Sequence, residues 1–243
     1  MKSKYIAMGV AALASIAMAF SAQANQLIVN GDFTELSNGL GQIDNSTIAT
    51  GWSSPGDNYN FVMTQADIGS SGQYGGLTLW DAANGGNNTW NGLASGAGNF
   101  VAMDGFFQTG PMSQTINGLA IGKTYDLTFS YAFGQQNGFD GATVQSLDAT
   151  IGSTDWNSGD TNVDNHGFTG WQSVDVSFKA DAVSETLTFL ATGNKPVPPF
   201  ALVSNVSLFG AAPEPSTWAM MLIGVAGLGA AARIRRRKVT VAT

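Results

Sequence analysis

The chain has no cysteine, a single histidine and little positive charge outside its two ends. The absence of cysteine excludes disulfide bonds, thiolate metal sites and cysteine nucleophiles. A Ser-His-Asp triad would have to use His166, and no G-x-S-x-G nucleophile elbow accompanies it, so we interpret His166 as a surface-loop residue. Phosphate-binding loops, dinucleotide fingerprints and strong metal-ligand spacings are also missing from the sequence. These absences leave no recognisable catalytic motif.

Basic residues are concentrated in the terminal segments, which hold seven of the ten. The region from residue 25 to 212 keeps Lys123, Lys179 and Lys195 against sixteen acidic residues, a net charge of −13. A surface of this sign repels phosphate backbones, which excludes nucleic acid as a partner. The region is long enough to bury the core of one domain, and its stability has to come from that burial.

The N-terminus has the three parts of a secretory signal peptide. Two lysines precede an apolar stretch at residues 6–20, and Ala22 and Ala24 supply the small-x-small pattern that signal peptidase cleaves. We therefore predict a signal peptide at residues 1–24 and a mature chain that begins at Asn25.

The C-terminus carries a second apolar segment with a different order of parts. Pro213, Glu214 and Pro215 precede an apolar run at residues 218–232, and a cationic cluster follows at once. Because moving each of these cations across hydrocarbon is unfavourable, the run is predicted to stop in a bilayer as a single transmembrane helix with its charges in the cytoplasm. The cluster consists of Arg233, Arg235, Arg236, Arg237 and Lys238.

These terminal residues, 210–238, resemble the PEP-CTERM signal of Gram-negative bacteria, a segment also called the ice-binding-protein C-terminal domain. The resemblance implies recognition by an exosortase-type membrane protease, a transient stay in the inner membrane and release near Pro213–Pro215 to the cell surface or extracellular matrix. A retained membrane anchor is the alternative, although about 15 apolar residues rise only about 22 Å, against about 30 Å of hydrocarbon. Ice binding is not inferred, because the chain has no regular threonine ladder.

Between the two signals, the hydrophobic pattern has the period of β-strands. Apolar and polar residues alternate over Tyr125–Tyr131 and Val174–Phe178, and Leu187 and Phe189 follow a short polar break. We predict the last two stretches to be neighbouring antiparallel strands, and no segment shows a helical period. The fold class is therefore all-β, a two-sheet sandwich at residues 25–209. Further predicted strands are Leu27–Asn30, Asn60–Thr64, Gly76–Trp80, Phe100–Met103, Met112–Ile116, Thr143–Ile151 and Ala201–Phe209.

Several of these segments resemble the galactose-binding-like jelly rolls, which include carbohydrate-binding modules. The matching pieces are Leu27–Phe33 with Gly51-Trp52, Gly118–Phe129, Gly170-Trp171-Gln172 and Val203–Leu208. The resemblance implies that the first and last strands lie side by side, often near a structural calcium to which Asp32 would contribute. The closing motif commonly carries an aspartate where this chain has Ser204, and the loop acids Asp140, Asp155, Asp160 and Asp164 match no dedicated calcium loop. We predict no cofactor and leave a structural calcium open.

Modules of this kind bind sugars by stacking aromatic rings on them, so the aromatic residues are the candidates for a site. Trp52 and Trp171 adjoin predicted strands and are interpreted as core. Trp80, Trp90 and Trp156 lie beside polar, glycine-rich loops at residues 84–98 and 157–170 and form the predicted binding platform. Tyr59, Tyr74 and Phe139 have similar surroundings and are further candidates.

The sequence thus predicts an exported, noncatalytic protein that binds extracellular polysaccharide. The first alternative is a structural or adhesive matrix protein without a sugar site. The second is a polysaccharide hydrolase, which would need two facing carboxylates in a cleft. Asp81 and Asp104 lie beside aromatic residues, but acids are too numerous for one pair to stand out. Aromatic rings grouped on a concave face would favour sugar binding, whereas a flat apolar patch or a long open sheet edge would favour assembly.

Overall fold

The computed structural model of the protein describes residues 25–64, 66, 68–87, 98–194 and 197–210. Within these ranges all regular secondary structure is β-strand, and these residues contain no helix long and apolar enough to cross a bilayer. The predicted signal peptide, the sorting segment with its transmembrane helix, and Trp90 lie outside the described residues.

Twelve strands form the described part of the chain, and they agree with most of the strands predicted from alternation. In chain order they are β1 (Asn60–Met63), β2 (Gly69–Gly72), β3 (Gly75–Thr78), β4 (Phe100–Asp104), β5 (Met112–Asn117), β6 (Thr124–Gln135), β7 (Thr143–Ile151), β8 (Thr154–Asn157), β9 (Thr161–Val163), β10 (Gln172–Lys179), β11 (Ser184–Gly193) and β12 (Pro199–Gly210).

The strands form two antiparallel sheets and one hairpin. The first sheet has the order β1-β4-β12-β6-β10, and the second has the order β5-β11-β7-β8, with β9 also pairing with β7. The hairpin β2-β3 forms a separate two-stranded ladder. The all-β, two-sheet sandwich predicted from the sequence is therefore confirmed.

The prediction that β10 and β11 are neighbours was wrong. Strand β10 pairs with β6 in the first sheet, where Val174 lies opposite Phe129. Strand β11 lies in the second sheet, where Phe189 faces Met112 of β5 on one side and Ala149 of β7 on the other. Alternation identifies the buried face of a strand but not its partner, and two strands that border one core from opposite sheets have the same pattern.

The predicted strand at Leu27–Asn30 was also wrong, although this segment does lie beside the last strand. Gln26 forms an isolated antiparallel bridge with Phe209, and the Leu27 N–H donates to the Leu208 carbonyl at 2.9 Å. Asn30 then takes a φ of 52°, a left-handed conformation that turns the chain away from an extended course. The pairing is therefore limited to a few hydrogen bonds.

Two hydrophobic clusters stabilise the sandwich. The main cluster lies between the sheets and includes Trp52, which is 3% exposed and packs between the rings of Phe33 and Phe189. A second cluster lies on the other face of the first sheet, because its β12 members Phe200 and Leu202 alternate with residues of the main cluster. The hairpin β2-β3 contributes to this second cluster, and Trp171 packs against it as predicted for a core residue. The outer face of the first sheet is thus covered at one end.

Candidate functional site

One end of the first sheet carries an open cleft of about 320 Å³. Antiparallel pairing brings four strand ends together there: the start of β1, the end of β4, the start of β12 and the end of β6. The residues at or just beyond these ends form the walls. We call this the aromatic cleft, and it is lined by Tyr59, Asp104, Phe107, Gln108, Gln136, Phe139 and Pro198.

A smaller hollow of about 90 Å³ adjoins the aromatic cleft and shares Tyr59 and Gln136 with it. The ring of Tyr74 contacts Tyr59 edge-on, with ring centroids 5.9 Å apart, and Tyr59 in turn contacts Phe61 at 5.3 Å. The side chain of Tyr74 is 74% exposed, which is unusual for a large aromatic ring. The aromatic surface therefore extends beyond the cleft onto the hairpin β2-β3.

Exposed rings and amides share the walls of the aromatic cleft. Phe107 is 48% exposed and Phe139 is 43% exposed, so both present ring faces to solvent. Gln108 and Gln136 are partly buried beside them and offer donors and acceptors. A concave site with aromatic walls and a few polar groups can bind a ligand that has both apolar faces and hydroxyl groups.

The buried carboxylate of Asp104 holds the turn that presents Phe107. Its Oδ1 accepts the N–H of Phe106 at 2.9 Å, its Oδ2 accepts the N–H of Gln108 at 2.8 Å, and the N–H of Phe107 donates to both oxygens at 3.2 Å. Burial raises the pKa of Asp104, and the three backbone donors partly offset that effect. Because its acceptor positions are used by the backbone, Asp104 acts as a positioning residue.

Tyr59 stands between the two hollows with its backbone fixed on both sides. Its N–H donates to the Gln108 carbonyl at 2.8 Å, and its own carbonyl accepts the N–H of Asp104 at 2.9 Å. Burial raises the pKa of the Tyr59 phenol, and the nearby Tyr74, Asp104 and Asp57 raise it further. The hydroxyl therefore stays protonated at neutral pH and is available as a hydrogen-bond donor.

Trp80 supports the loop that carries Phe139. Its indole N–H donates to the Phe139 carbonyl at 3.1 Å, and its ring stacks on the imidazole of His166 with centroids 3.8 Å apart and an interplanar angle of 24°. The other end of that imidazole, Nε2, lies 2.6 Å from Oδ1 of Asp140. His166 lies in a loop, as predicted. Its contacts with Trp80 and Asp140 also connect the loop at residues 164–167 to the loop that follows β6.

The buried side-chain amide of Gln135 connects the same loops through hydrogen bonds. Gln135 is fully buried, its Nε2 donates to the Gly141 carbonyl at 3.1 Å, and its Oε1 accepts the N–H of Gly167 at 3.3 Å. The N–H of Gly141 also donates to the side chain of Asn165. Phe139 is thus carried by a loop that is fixed at several points, which reduces the entropy lost when a ligand orders it.

The structure separates two of the three tryptophans of the predicted platform, Trp80 and Trp156. Trp80 reaches the cleft only through Phe139, and one of its faces is occupied by His166. Trp156 is partly buried in β8 and packs edge-on against Phe129 and Tyr131, at 5.1 and 5.2 Å, as part of the main cluster. Trp90 lies outside the described residues.

The structure places the three further candidates at the aromatic cleft or at the hollow beside it. Tyr59 and Phe139 line the aromatic cleft, and Tyr74 lines the adjoining hollow. The sequence analysis did not identify Phe107, Gln108 or Gln136. The signal that could have revealed them is the pair Phe106-Phe107 in the short connection between β4 and β5, where both residues are exposed.

Asp32 lies near the junction of the first and last segments, as the resemblance implied. Its Oδ1 accepts the hydroxyl of Thr34 at 3.0 Å, and its carbonyl accepts the N–H of Asn99 at 2.9 Å. Ser204 is fully buried and donates its hydroxyl to the Asn99 carbonyl at 2.6 Å. No group of three acidic or histidine side chains that could hold a metal occurs in the described ranges. Calcium takes six to eight oxygens, and a structural calcium beside Asp32 stays the open alternative to the prediction of no cofactor.

The C-terminal segment matches a known sorting signal. The profile of the PEP-CTERM protein-sorting motif matches residues 211–237, which include the Pro213–Pro215 tripeptide and most of the cationic cluster. The chain is accordingly an exported, surface-directed protein. A comparison with curated proteins gives no match.

Several solved structures are similar to this chain at low sequence identity. A CBM4 structure is 16% identical, with 76% of this chain and 99% of that chain covered and a TM-score of 0.34. TmCBM61 in complex with β-1,4-galactotriose is 12% identical, with coverages of 77% and 99% and a TM-score of 0.34. The arabinose-bound α-L-arabinofuranosidase MgGH51 is 13% identical, with coverages of 78% and 27% and a TM-score of 0.40. The likeness concerns the sandwich alone.

Proposed function

We propose that this exported sandwich binds extracellular polysaccharide in the aromatic cleft, without a covalent step. The observation that carries the proposal is the convergence of exposed rings and amides on one concave surface. Phe107 and Phe139 offer apolar faces for the C–H groups of a sugar ring, while Gln108 and Gln136 offer partners for its hydroxyls. The volume of the cleft lies within the range of about 300–1,000 Å³ that is typical of ligand sites.

The shape of this surface favours sugar binding over the two alternatives. A matrix protein that only packs against copies of itself would present a flat apolar patch, whereas these rings border a hollow. A hydrolase would need two facing carboxylates, and the described lining of the cleft supplies one, Asp104. Both oxygens of that carboxylate already accept backbone N–H groups, which makes it a poor acid or base.

The sorting motif supports a route to the cell surface. In this proposal, signal peptidase removes residues 1–24, the C-terminal helix holds the precursor in the inner membrane, and an exosortase-type protease cuts near Pro213–Pro215. The sandwich is then released among extracellular polysaccharides, where an aromatic cleft has a ligand available. Mass spectrometry of the exported protein tests this step, because processing would leave a C-terminus near residue 213.

The binding proposal is tested by measuring the affinity of the full chain, kept in detergent, for an array of bacterial and plant polysaccharides. We expect Phe107→Ala and Phe139→Ala each to weaken binding about 5- to 30-fold, because each removes about 1–2 kcal/mol of apolar contact. Phe209→Ala is the matched control, since Phe209 is 38% exposed at the opposite end of β12. Binding of no glycan, or equal affinity of all three variants and the native protein, would contradict the proposal.

A further inference from the structure

The charges around the aromatic cleft bear on which glycans it can take, an inference that rests on the proposed function. We infer that the cleft discriminates by charge: it binds polysaccharides with carboxylate or sulfate groups more weakly than those that are neutral or carry protonated amino groups. The carrying observation is a rim of carboxylates with no lysine or arginine of the described residues near it.

We define the rim by two exposed carboxylates that adjoin lining residues in sequence, and a third carboxylate belongs to the wall. Asp57 is exposed two residues before Tyr59, and Asp140 directly follows Phe139 with its side chain 84% exposed. Asp104 lines the wall. Burial raises the pKa of the Tyr59 hydroxyl, and the negative charges of Asp104 and Asp57 raise it further, so both carboxylates act on this part of the cleft. A ligand in the cleft therefore meets a negative potential from two sides.

The lysines of the described residues lie at the far end of the sandwich. Lys179 pairs with Thr124 at the start of β6, next to Lys123, whereas the cleft begins at Gln136, just past the other end of that strand. Twelve residues of extended chain span about 40 Å. The Debye length is about 8 Å at physiological ionic strength, so these lysines do not offset the rim. His166, the remaining side chain nearby that can carry a positive charge, is bonded to Asp140 and can offset that carboxylate alone, so Asp57 and Asp104 stay without a cationic partner among the described residues.

An anionic glycan would consequently lose affinity in two ways. Its carboxylate or sulfate would be repelled by Asp57 and Asp140, and it would lose water without gaining a cationic partner. An ammonium group would gain only modestly, because exposed charges interact weakly in water. At about 8 Å in water, one unit charge changes affinity about twofold, and several charges along an oligosaccharide multiply that factor.

Three hexasaccharides with the same β-1,4-linked gluco backbone test the inference: the glucose, glucosamine and glucuronate oligomers. Their affinities for the full chain in detergent are measured by calorimetry at about pH 6, where the sugar amine is protonated, in about 20 mM and about 150 mM salt. We expect the glucosamine oligomer to bind at least about tenfold more tightly than the glucuronate oligomer at low salt, with the glucose oligomer between them. The difference should shrink at the higher salt concentration.

Substitutions of carboxylates and of one lysine test which residues cause the charge preference. The double variant Asp57→Asn with Asp140→Asn should reduce the glucosamine-to-glucuronate ratio at least about threefold. Asp175→Asn should leave the ratio unchanged, since Asp175 is an exposed carboxylate of β10 away from the cleft. Lys195→Gln should also leave it unchanged; Lys195 lies outside the described residues, and a marked rise of the ratio in this variant would reveal a cation at the cleft and overturn the inference.

The outcomes separate the charge inference from the proposed function. Equal affinities, or tighter binding of the glucuronate oligomer, would overturn the charge inference while the binding itself upholds the proposed function. Failure of all three hexasaccharides to bind would also overturn the charge inference, and the polysaccharide array then decides on the proposed function independently.

Discussion

Replacing Trp80 should destabilise the loop that carries Phe139. Two substitutions separate the contribution of the indole hydrogen bond from that of the stacked ring. Trp80→Phe removes the indole N–H donated to Phe139 and keeps a ring beside His166, a loss of about 1 kcal/mol. Trp80→Ala also removes the stacked contact and the partly buried ring surface, which adds about 2 kcal/mol. For a domain of this size each kcal/mol lowers the melting temperature by about 2–4 °C. We expect decreases of about 3 °C and about 9 °C.

The assay is thermal unfolding followed by circular dichroism, with a double-mutant cycle as the internal control. His166→Ala removes the other half of the stacked pair, so Trp80→Ala and His166→Ala should not be additive. The expected coupling is about 0.5–1.5 kcal/mol. Glycan affinity should fall in both single variants, because Trp80→Ala removes the hydrogen bond to Phe139 and His166→Ala removes the contacts with Trp80 and Asp140 that fix the same loop. Additive effects, or melting temperatures equal to that of the native protein, would refute the assignment of Trp80 as the support of this loop.

Three further substitutions test other parts of the structure. Trp156→Ala should cost about 2–4 kcal/mol in unfolding free energy yet leave glycan affinity unchanged, because Trp156 packs in the main cluster. In denaturant unfolding, Gly31→Ala should destabilise by about 1–3 kcal/mol, since a Cβ there would lie 1.9 Å from the Val206 carbonyl oxygen; Gly76→Ala, whose Cβ would have its nearest neighbour at 3.9 Å, is the control. The pKa of Asp104 is raised in the folded state, so the native protein should lose stability relative to Asp104→Asn as the pH rises above about 3.8.

The sequence predicted strands well where one face is buried and the other is solvated. In β6 the residues Tyr125, Leu127 and Phe129 are buried and alternate with more exposed ones, so the pattern is visible without a structure. The hairpin strand β2 consists of glycine and serine and has no such pattern, so its pairing depends on β3 and the cluster that it covers. Pairing partners are a property of the whole fold, which is why the placement of β10 and β11 was missed.

The candidate site could be predicted only in part, for a related reason. Tyr59 and Phe139 were identifiable because glycine-rich or polar neighbours leave a ring exposed. The cleft itself arises where four strand ends meet, and those ends are distant in sequence. Trp80 shows the limit of composition: its loop neighbours indicated exposure, but His166, far along the chain, occupies one face of its ring.

Hydrogen exchange of the full chain, with and without saturating amounts of the tightest-binding glycan of the array, tests the central claim most directly. If the aromatic cleft is the site, backbone amides at residues 57–61, 104–109 and 135–141 should become protected, because these segments form its walls. Amides of β10, at the far edge of the first sheet, should exchange as before. Protection confined to β10, or no protection at the cleft, would contradict the account.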